Sequence, residues 1–240
     1  MLLIISIKSI KSINKRNRHG KDAMNTTSLF HITIARQLGS GGRELGQRIA
    51  RRLGLAYLDR QILQNAAEEL GMTEDELAHR EERIQSFWVR MLEAYASSSP
   101  EYTLGTPPLK VFSDDRLIDA EKHVLLRLCS RGPCVIVGRC GFWVLKDQAR
   151  LLNVFVHAPR WFRIERMIKF YGAQSPEAAD EMIDQTDRDR QRYVEKLTGC
   201  SWYDARNYHL TFDLAEIGFE AATETIASAA SHLQAAPQGS

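Results

Sequence analysis

The sequence predicts an α/β fold, in which helices cover both faces of a central parallel sheet. Short β-branched runs alternate with longer amphipathic segments along the 240 residues, as expected for parallel strands joined by crossover helices. A glycine-rich turn at residues 39–42 separates the first such strand from the first helix. A hydrophobic content of 44% and a charged content of 26% are ordinary for one globular domain of this length.

The strands are predicted from buried β-branched runs, and the helices from apolar residues at spacings of three and four. The predicted strands are residues 31–35, 55–58, 134–137, 151–156 and 208–213. The predicted helices are residues 43–53, 59–71, 73–95, 115–128 (from Asp114 or Asp115), 160–171, 176–197 and 219–233. Serines, prolines and a glycine make residues 96–108 a long loop, which we expect to be poorly ordered without a ligand.

We expect a single domain over residues 28–235, preceded by a disordered basic tail over residues 1–27. Lys8 and Lys11 interrupt the apolar run at the start of the chain. This run is therefore too short to span a membrane and has the wrong flanks for a signal peptide. Met1 and Met24 are both candidate start positions.

Charge and cysteine content argue against several classes of function. A net charge of +2 gives no sign that the protein as a whole binds nucleic acid or a membrane. The four cysteines form no CxxC pair and have no histidine at ligand spacing, so neither a zinc site nor a disulfide framework is expected. These cysteines are Cys129, Cys134, Cys140 and Cys200. We expect free thiols, no metal-binding residues and a cytoplasmic location.

The glycine-rich turn is the first candidate site. Gly39, Ser40, Gly41 and Gly42 lie between a strand and a helix, which is the layout of a phosphate-binding loop. Glycines let successive backbone N–H groups point inward, and the helix N-terminus adds its positive dipole end. A glycine-rich connector without a ligand is the alternative interpretation.

The turn departs from the standard phosphate loop, GxxxxGK[ST]. Counted from the strand, the lysine position falls on Gly42. One extra residue in the loop would place Arg43 at the lysine position and Glu44 at the magnesium-binding Ser/Thr position. Arginine also binds phosphate, although through a planar fork rather than a point charge. We therefore expect Arg43 to replace the lysine, and no residue of the turn supplies the hydroxyl.

Four segments carry a resemblance to a known family. The segments are ITIARQLGSGGRELGQRIARRLGLAYLDRQIL, VIVGRCGFWVL, VFVHAPRWFRIERMIKFYG and DRDRQRYVEKLTG. In wording, order and separation, residues 32–226 resemble the cytidylate kinase-like family of P-loop kinases. The resemblance implies a three-layer α/β/α P-loop NTPase fold with a helical insertion at residues 72–113 and an arginine-rich lid at residues 160–200. It also implies ATP as the phosphate donor, with Mg²⁺.

The resemblance also implies an acceptor site. An Asp-containing turn after the second strand borders the pyrimidine pocket in these kinases, and Asp59 occupies that place here. A Gly-Arg-Asp after the central strand supplies an arginine to the acceptor phosphate. Here the arginine is Arg139, and Cys140 replaces the acid.

The lid motif resembles RDDRDRNR, which this chain spells QTDRDRQR. Asp189 and Arg192 match acceptor-binding positions, while Gln185 replaces the first arginine. Arg188 and Arg192 are four residues apart on one helix, so both can face a transferred phosphate. A helix face that only carries ion pairs in solvent is the alternative for these arginines and for Arg163 and Arg166.

The expected function is ATP-dependent phosphorylation of CMP or a related nucleoside monophosphate, with Arg43, Arg188 and Arg192 as catalytic cations. The expected partners are nucleotides, with no nucleic acid and no membrane, and a homo-oligomer stays open. A catalytically weak nucleotide-binding regulator is the second hypothesis, because the Lys-Ser/Thr pair is absent. The third is a scaffold that binds no nucleotide and uses Trp88 and the apolar stripe of residues 73–95 as an interface.

Overall fold

The computed structural model describes residues 30–59, 115–147 and 150–235, and side chains of the second range from residue 122 onward. Five parallel strands form one sheet in the order β2-β3-β1-β4-β5. The strands are β1 (Phe30–Arg36), β2 (Ala56–Leu58), β3 (Cys134–Val137), β4 (Arg150–His157) and β5 (Leu210–Asp213). β1 pairs with β3 through Thr33 and Ile136, and with β4 through Thr33 and Asn153.

The helices connect and cover these strands. They are α1 (Gly42–Leu53), α2 (Asp115–Cys129), α3 (Gly141–Val144), α4 (Arg160–Tyr171), α5 (Pro176–Thr198), α6 (Leu214–Ile217) and α7 (Phe219–Ala235), with a short 3₁₀ turn at Ala205–Asn207. Gly54 ends α1 in the left-handed conformation with φ of 66°, and Ser175 caps α5 by accepting a hydrogen bond from the Ala178 N–H at 3.2 Å.

The core has two layers because successive side chains of a strand point to opposite faces of the sheet. On one face, Val135 and Val137 pack with α1 and α7 in a cluster that includes Ile49 and Ile226. On the other face, Ile136 packs against α2, which contributes residues such as Leu125. Full burial of such aliphatic side chains stabilises the fold by about 1.5–3 kcal/mol each.

The α/β/α fold expected from the sequence is confirmed. The strand and helix bounds differ from the predictions by at most two residues, as in β5, which begins at Leu210 instead of 208. α3, α6 and the 3₁₀ turn were not predicted, because three or four residues are too few to establish a helical periodicity. The predicted helices at 59–71 and 73–95 and the loop at 96–108 lie outside the described residues, apart from Asp59. No helix of the described ranges is long and apolar enough to cross a membrane.

Candidate phosphate-binding site

The glycine turn forms a compact loop between β1 and α1. Gly39 and Gly41 have φ angles of 77° and 90°, a region that side chains with a Cβ rarely adopt. A Cβ on Gly39 would lie 2.8 Å from the Arg163 carbonyl oxygen, and one on Gly41 would lie 2.6 Å from Phe219 Cζ. The Ser40 hydroxyl donates to the Gln37 carbonyl at 2.9 Å, so this side chain closes the loop on itself. Any ligand contact of Ser40 would therefore come from its backbone.

Buried charges hold the loop against α4 and α5. The Leu38 N–H donates to Asp187 Oδ1 at 2.8 Å, and Arg163 Nε donates to the Leu38 carbonyl at 2.7 Å. Arg163 also pairs with the Asp187 carboxylate. Arg190 Nη1 lies 3.3 Å from Asp187 Oδ1 and donates to the Arg36 carbonyl at 3.1 Å. We call Leu38, Arg163, Asp187 and Arg190 the loop clamp.

Glu44 lies in the first turn of α1, where its negative charge complements the helix dipole. Its Oε1 accepts from Arg48 at 2.8 Å and its Oε2 from Arg166 at 2.9 Å. The Arg166 guanidinium also lies 5.0 Å from the Phe170 ring centroid. Because both carboxylate oxygens are engaged by arginines, Glu44 does not fit as a ligand for Mg²⁺ in place of the standard hydroxyl.

The Arg43 side chain lies beside Asp59, which follows the end of β2. Its Nε lies 3.5 Å from Asp59 Oδ2, which also accepts a hydrogen bond from the Tyr57 hydroxyl at 3.3 Å. Burial opposes the charge on Arg43, but Asp59 and Tyr57 outweigh it and raise the pKa of this guanidinium. The sequence assigned Arg43 to the phosphate loop and Asp59 to the acceptor site, and the structure brings these two side chains together.

A tight left-handed turn follows β3. Gly138, Arg139 and Cys140 all have positive φ angles, of 85°, 55° and 49°. Such conformations cost about 1–3 kcal/mol per non-glycine residue and cluster at functional sites. The Gly141 N–H closes the turn by donating to the Gly138 carbonyl at 3.1 Å. Burial raises the pKa of the Cys140 thiol to about 12, although Arg139 lowers it, so a neutral group occupies the place of the family's acid.

Three arginines line a small cleft, with a free volume of about 50 Å³, at the carboxyl ends of β1 and β3, and we call it the arginine cleft. The cations are Arg36, Arg139 and Arg190, and the apolar side includes Phe142 and Trp202. Burial, and then the charges of Arg190 and Arg43, lower the pKa of Arg36 to about 9. Burial also lowers the pKa of Arg190, although Asp187 raises it. Clustered cations that are costly to bury make this cleft suited to an anion.

The predicted lid residues lie on the outer face of α5. The Arg188 side chain is 54% exposed and lies 3.6 Å from Asp184, and the Arg192 side chain is 72% exposed and lies 3.6 Å from Asp189. Gln185 donates to Asp189 at 3.0 Å. Arg188 lines a separate hollow of about 240 Å³ with residues that include Arg160 and Gln37. The structure does not bring Arg188 or Arg192 to the arginine cleft, and their proposed roles require a movement of α5.

Two arginines of the cleft were missed in the sequence. Arg190 lies between Arg188 and Arg192, and residues two apart on a helix point to opposite sides, so the three arginines cannot share a face. Arg36 directly follows the buried part of β1, and a charged residue at the carboxyl end of a central strand is the signal that could have identified it.

His31 lies beside Cys129 and Cys134, at the end of the sheet opposite the glycine loop. The long separation in sequence between His31 and these cysteines gave no sign of this contact. The ligand atoms of the three residues lie within 4.8 Å of one another. The His31 Nδ1 accepts from the Cys134 N–H at 3.2 Å, and burial lowers the pKa of His31 to about 4. The Cys134 Sγ lies 3.2 Å from the Gly132 carbonyl. These hydrogen bonds provide partners for His31 and Cys134 within the protein.

The fold defines an α/β protein with a glycine-rich turn between its first strand and its first helix. The family comparison makes this specific, because the model of the Cytidylate kinase-like family matches residues 31–216. The chain belongs to that family.

Curated relatives and a solved structure agree with this. A cytidylate kinase from Aeropyrum pernix is 26% identical over 76% of this chain and 88% of its own length. A cytidylate kinase from Pyrococcus horikoshii is 25% identical over 84% of this chain and 88% of its own length. An uncharacterized protein from Eubacterium ventriosum superposes with a TM-score of 0.61 at 16% identity, covering 84% of this chain and 98% of that protein. The last comparison supports the fold alone.

Proposed function

We propose that this protein transfers a phosphoryl group from ATP to CMP or a related nucleoside monophosphate. The arginine cleft is the observation that carries the proposal, because it opens beside the glycine loop at the carboxyl ends of β1 and β3. Ligands of open α/β sheets bind at this edge. The relatives named cytidylate kinase support CMP as the first acceptor to test.

The glycine loop would hold the donor phosphates through its backbone. Gly39, Gly41 and Gly42 have no room for side chains, so a phosphate can approach the N–H groups closely. The positive end of the α1 dipole favours the same anion. This binding mode does not need a particular side chain at residue 42.

The cleft would hold the acceptor. Arg139 would bind the acceptor phosphate, since it lines the cleft, and Phe142 and Trp202 offer apolar surface beside it. Asp59 lies next to Arg43, so this pair could border the base or sugar. In the reaction, an oxygen of the acceptor phosphate attacks the γ-phosphorus of ATP, and ADP leaves as the bond to its β-phosphate oxygen breaks.

The protein's part in this reaction is to position both phosphates and to neutralise charge. The transferred group gains negative charge on its oxygens, which nearby guanidinium groups stabilise. Residues 160–200 would act as the lid, and closure would bring Arg188 and Arg192 towards the phosphates and expel water.

The insertion at residues 72–113 would border the acceptor and lies outside the described residues. Mg²⁺ would accompany ATP, but Glu44 does not fit as its ligand, so no step of this account depends on a protein-held metal.

An acceptor panel tests the proposal. We expect purified protein with ATP and MgCl₂ to convert CMP to CDP, and to act more slowly on UMP, dCMP and AMP. Arg139→Gln should raise the KM for CMP by about 10–100-fold, because a charge-assisted contact is lost. Arg52→Ala is the matched control, since Arg52 pairs with Glu224 on the surface, away from the cleft. A lack of phosphoryl transfer to every nucleoside monophosphate would contradict the proposal.

A nucleotide-binding regulator with little catalytic activity is the second candidate. Two observations favour it: residue 42 is a glycine, and the Glu44 carboxylate is engaged by Arg48 and Arg166. This candidate predicts binding of ADP and CMP without turnover. A thermal-shift panel separates it from a scaffold that binds no nucleotide, because a ligand of the native state raises the melting temperature.

A further inference from the structure

The phosphate loop of this chain has a glycine and a cation at exchanged positions. When the second glycine of GxxxxGK is set on Gly41, the first glycine falls on Arg36 and the lysine falls on Gly42. The two departures from the standard loop are therefore opposite in kind. One position has gained a cation, and the other has lost one.

The structure shows that these two positions touch. A Cβ on Gly42 would lie 2.6 Å from Arg36 Cβ and 2.9 Å from Arg36 Cγ. Both distances are shorter than carbon contacts in packed proteins, so the stem of Arg36 takes the space where a side chain at residue 42 would begin. Gly42 thus permits an arginine at residue 36, and this arginine in turn excludes a lysine at residue 42.

The charged end of Arg36 lies over the turn after β3. A Cβ on Gly138 would overlap Arg36 Nη1 and would lie 3.1 Å from Arg36 Cζ. The guanidinium therefore lines the arginine cleft between the carboxyl ends of β1 and β3. This position lies between the glycine loop and Arg139, where donor and acceptor phosphates would meet.

Three other arginines near the loop have carboxylate partners. Arg43 lies beside Asp59, Arg190 beside Asp187, and Arg166 beside Glu44. Within the described ranges, no carboxylate contacts the Arg36 guanidinium. Burial and the charges of Arg190 and Arg43 lower its pKa, and the more distant Tyr57 and Asp59 offset this only in part. A half-buried guanidinium without a counter-ion in contact, among other cations, is a costly arrangement that a bound anion would relieve.

We propose that Arg36, rather than Arg43, replaces the lysine of the standard phosphate loop and binds the β- and γ-phosphates of the donor. This inference rests on the proposed function, since it identifies the anion as the polyphosphate of a nucleotide. The contact would differ from that of a lysine, because the Arg36 guanidinium comes from the strand side of the loop. It would meet the phosphate oxygens with a planar pair of N–H donors rather than a single ammonium group.

Binding of tripolyphosphate and of ATP, measured by calorimetry, tests the inference without turnover. Arg36→Gln should weaken both by about 10–100-fold, as expected for the loss of a charge-assisted contact. Arg36→Lys should lose less affinity than Arg36→Gln, because lysine keeps the positive charge and loses only the planar pair of N–H donors. Arg52→Ala should bind like the wild type, because Arg52 lies away from the loop.

An exchange variant tests the contact between the two positions. Gly42→Lys alone should lose affinity, since its side chain meets the stem of Arg36. Adding Arg36→Gly should recover affinity to within about tenfold of the wild type, because the pair then spells GxxxxGK, the glycine and lysine positions of the standard loop. This variant and Arg36→Lys keep the inference testable if Arg36→Gln does not fold.

The outcomes separate the inference from the proposed function. If Arg36→Gln folds and binds tripolyphosphate like the wild type, the inference is wrong even if CMP is phosphorylated. If Arg36→Gln loses binding but the wild type phosphorylates no acceptor, the inference stands and the proposed function fails. If the wild type binds neither tripolyphosphate nor ATP, both fail.

Discussion

The loop clamp and the arginine cleft use the same residue type in opposite ways. In the clamp, Arg163 is buried against the Asp187 carboxylate and the Leu38 carbonyl, so its charge is compensated within the protein. In the cleft, no carboxylate of the described residues contacts Arg36, and Asp59 offsets the lowering of its pKa only in part. Arg139 lies on the cleft in a turn with positive φ angles. An arginine near a phosphate loop can therefore serve the fold or a ligand, and its partners distinguish the two roles.

The largest expected effect is on the clamp. Asp187→Ala leaves the buried Arg163 guanidinium without its carboxylate, which we expect to lower the free energy of unfolding by about 3–5 kcal/mol. Denaturant unfolding measures this loss. Glu224→Ala is the control, because its ion pair with Arg52 is on the surface and should contribute little. An Asp187→Ala variant as stable as this control would show that the clamp is not structural.

Two glycines with similar φ angles separate backbone strain from packing. Gly41 has φ of 90° and faces Phe219, while Gly54 has φ of 66° and no neighbouring atom within 4 Å of the place that a Cβ would take. We expect Gly54→Ala to cost about 1 kcal/mol from the backbone alone. Gly41→Ala should cost about 1–3 kcal/mol more, since the new methyl group overlaps the ring. Equal melting temperatures for the two variants would contradict the tight loop described above.

The smallest expected effect concerns the outer face of α5. Arg192→Ala should weaken CMP binding by up to about tenfold and leave ATP binding nearly unchanged, if α5 closes over the acceptor. Arg206→Ala is a suitable control, because Arg206 is similarly exposed and pairs with Asp204 away from the cleft. Separate titrations of the two nucleotides decide this. Equal losses for CMP and ATP would remove Arg192 from the acceptor side.

The sequence predicted the fold well because the signals were local. The run CVIV and the glycine turn each identify an element from a few neighbouring residues, and the structure has both where they were expected. Cap residues such as Gly54 also act within one turn of chain. Local patterns of this kind do not depend on how distant parts of the chain pack.

The site was harder to predict because its contacts join distant residues. The interaction of Asp187 with Leu38 spans 149 positions, and no sequence spacing indicates it. The sequence predicted Arg43 as the cation of the loop, because one extra residue in the loop would place it at the lysine position. The contact between Gly42 and Arg36 appears only when the strand and the helix are folded together. The functional roles of Arg43, Arg188 and Arg192 stay predictions.

A crystal structure with ADP and CMP bound tests the central claim most directly. The account predicts the β-phosphate of ADP against the N–H groups of residues 39–42, and the CMP phosphate within hydrogen-bond distance of Arg139 in the arginine cleft. Arg36 should lie between the two phosphates. Phosphates bound instead in the outer hollow beside Arg160 and Arg188, with the arginine cleft empty, would contradict it.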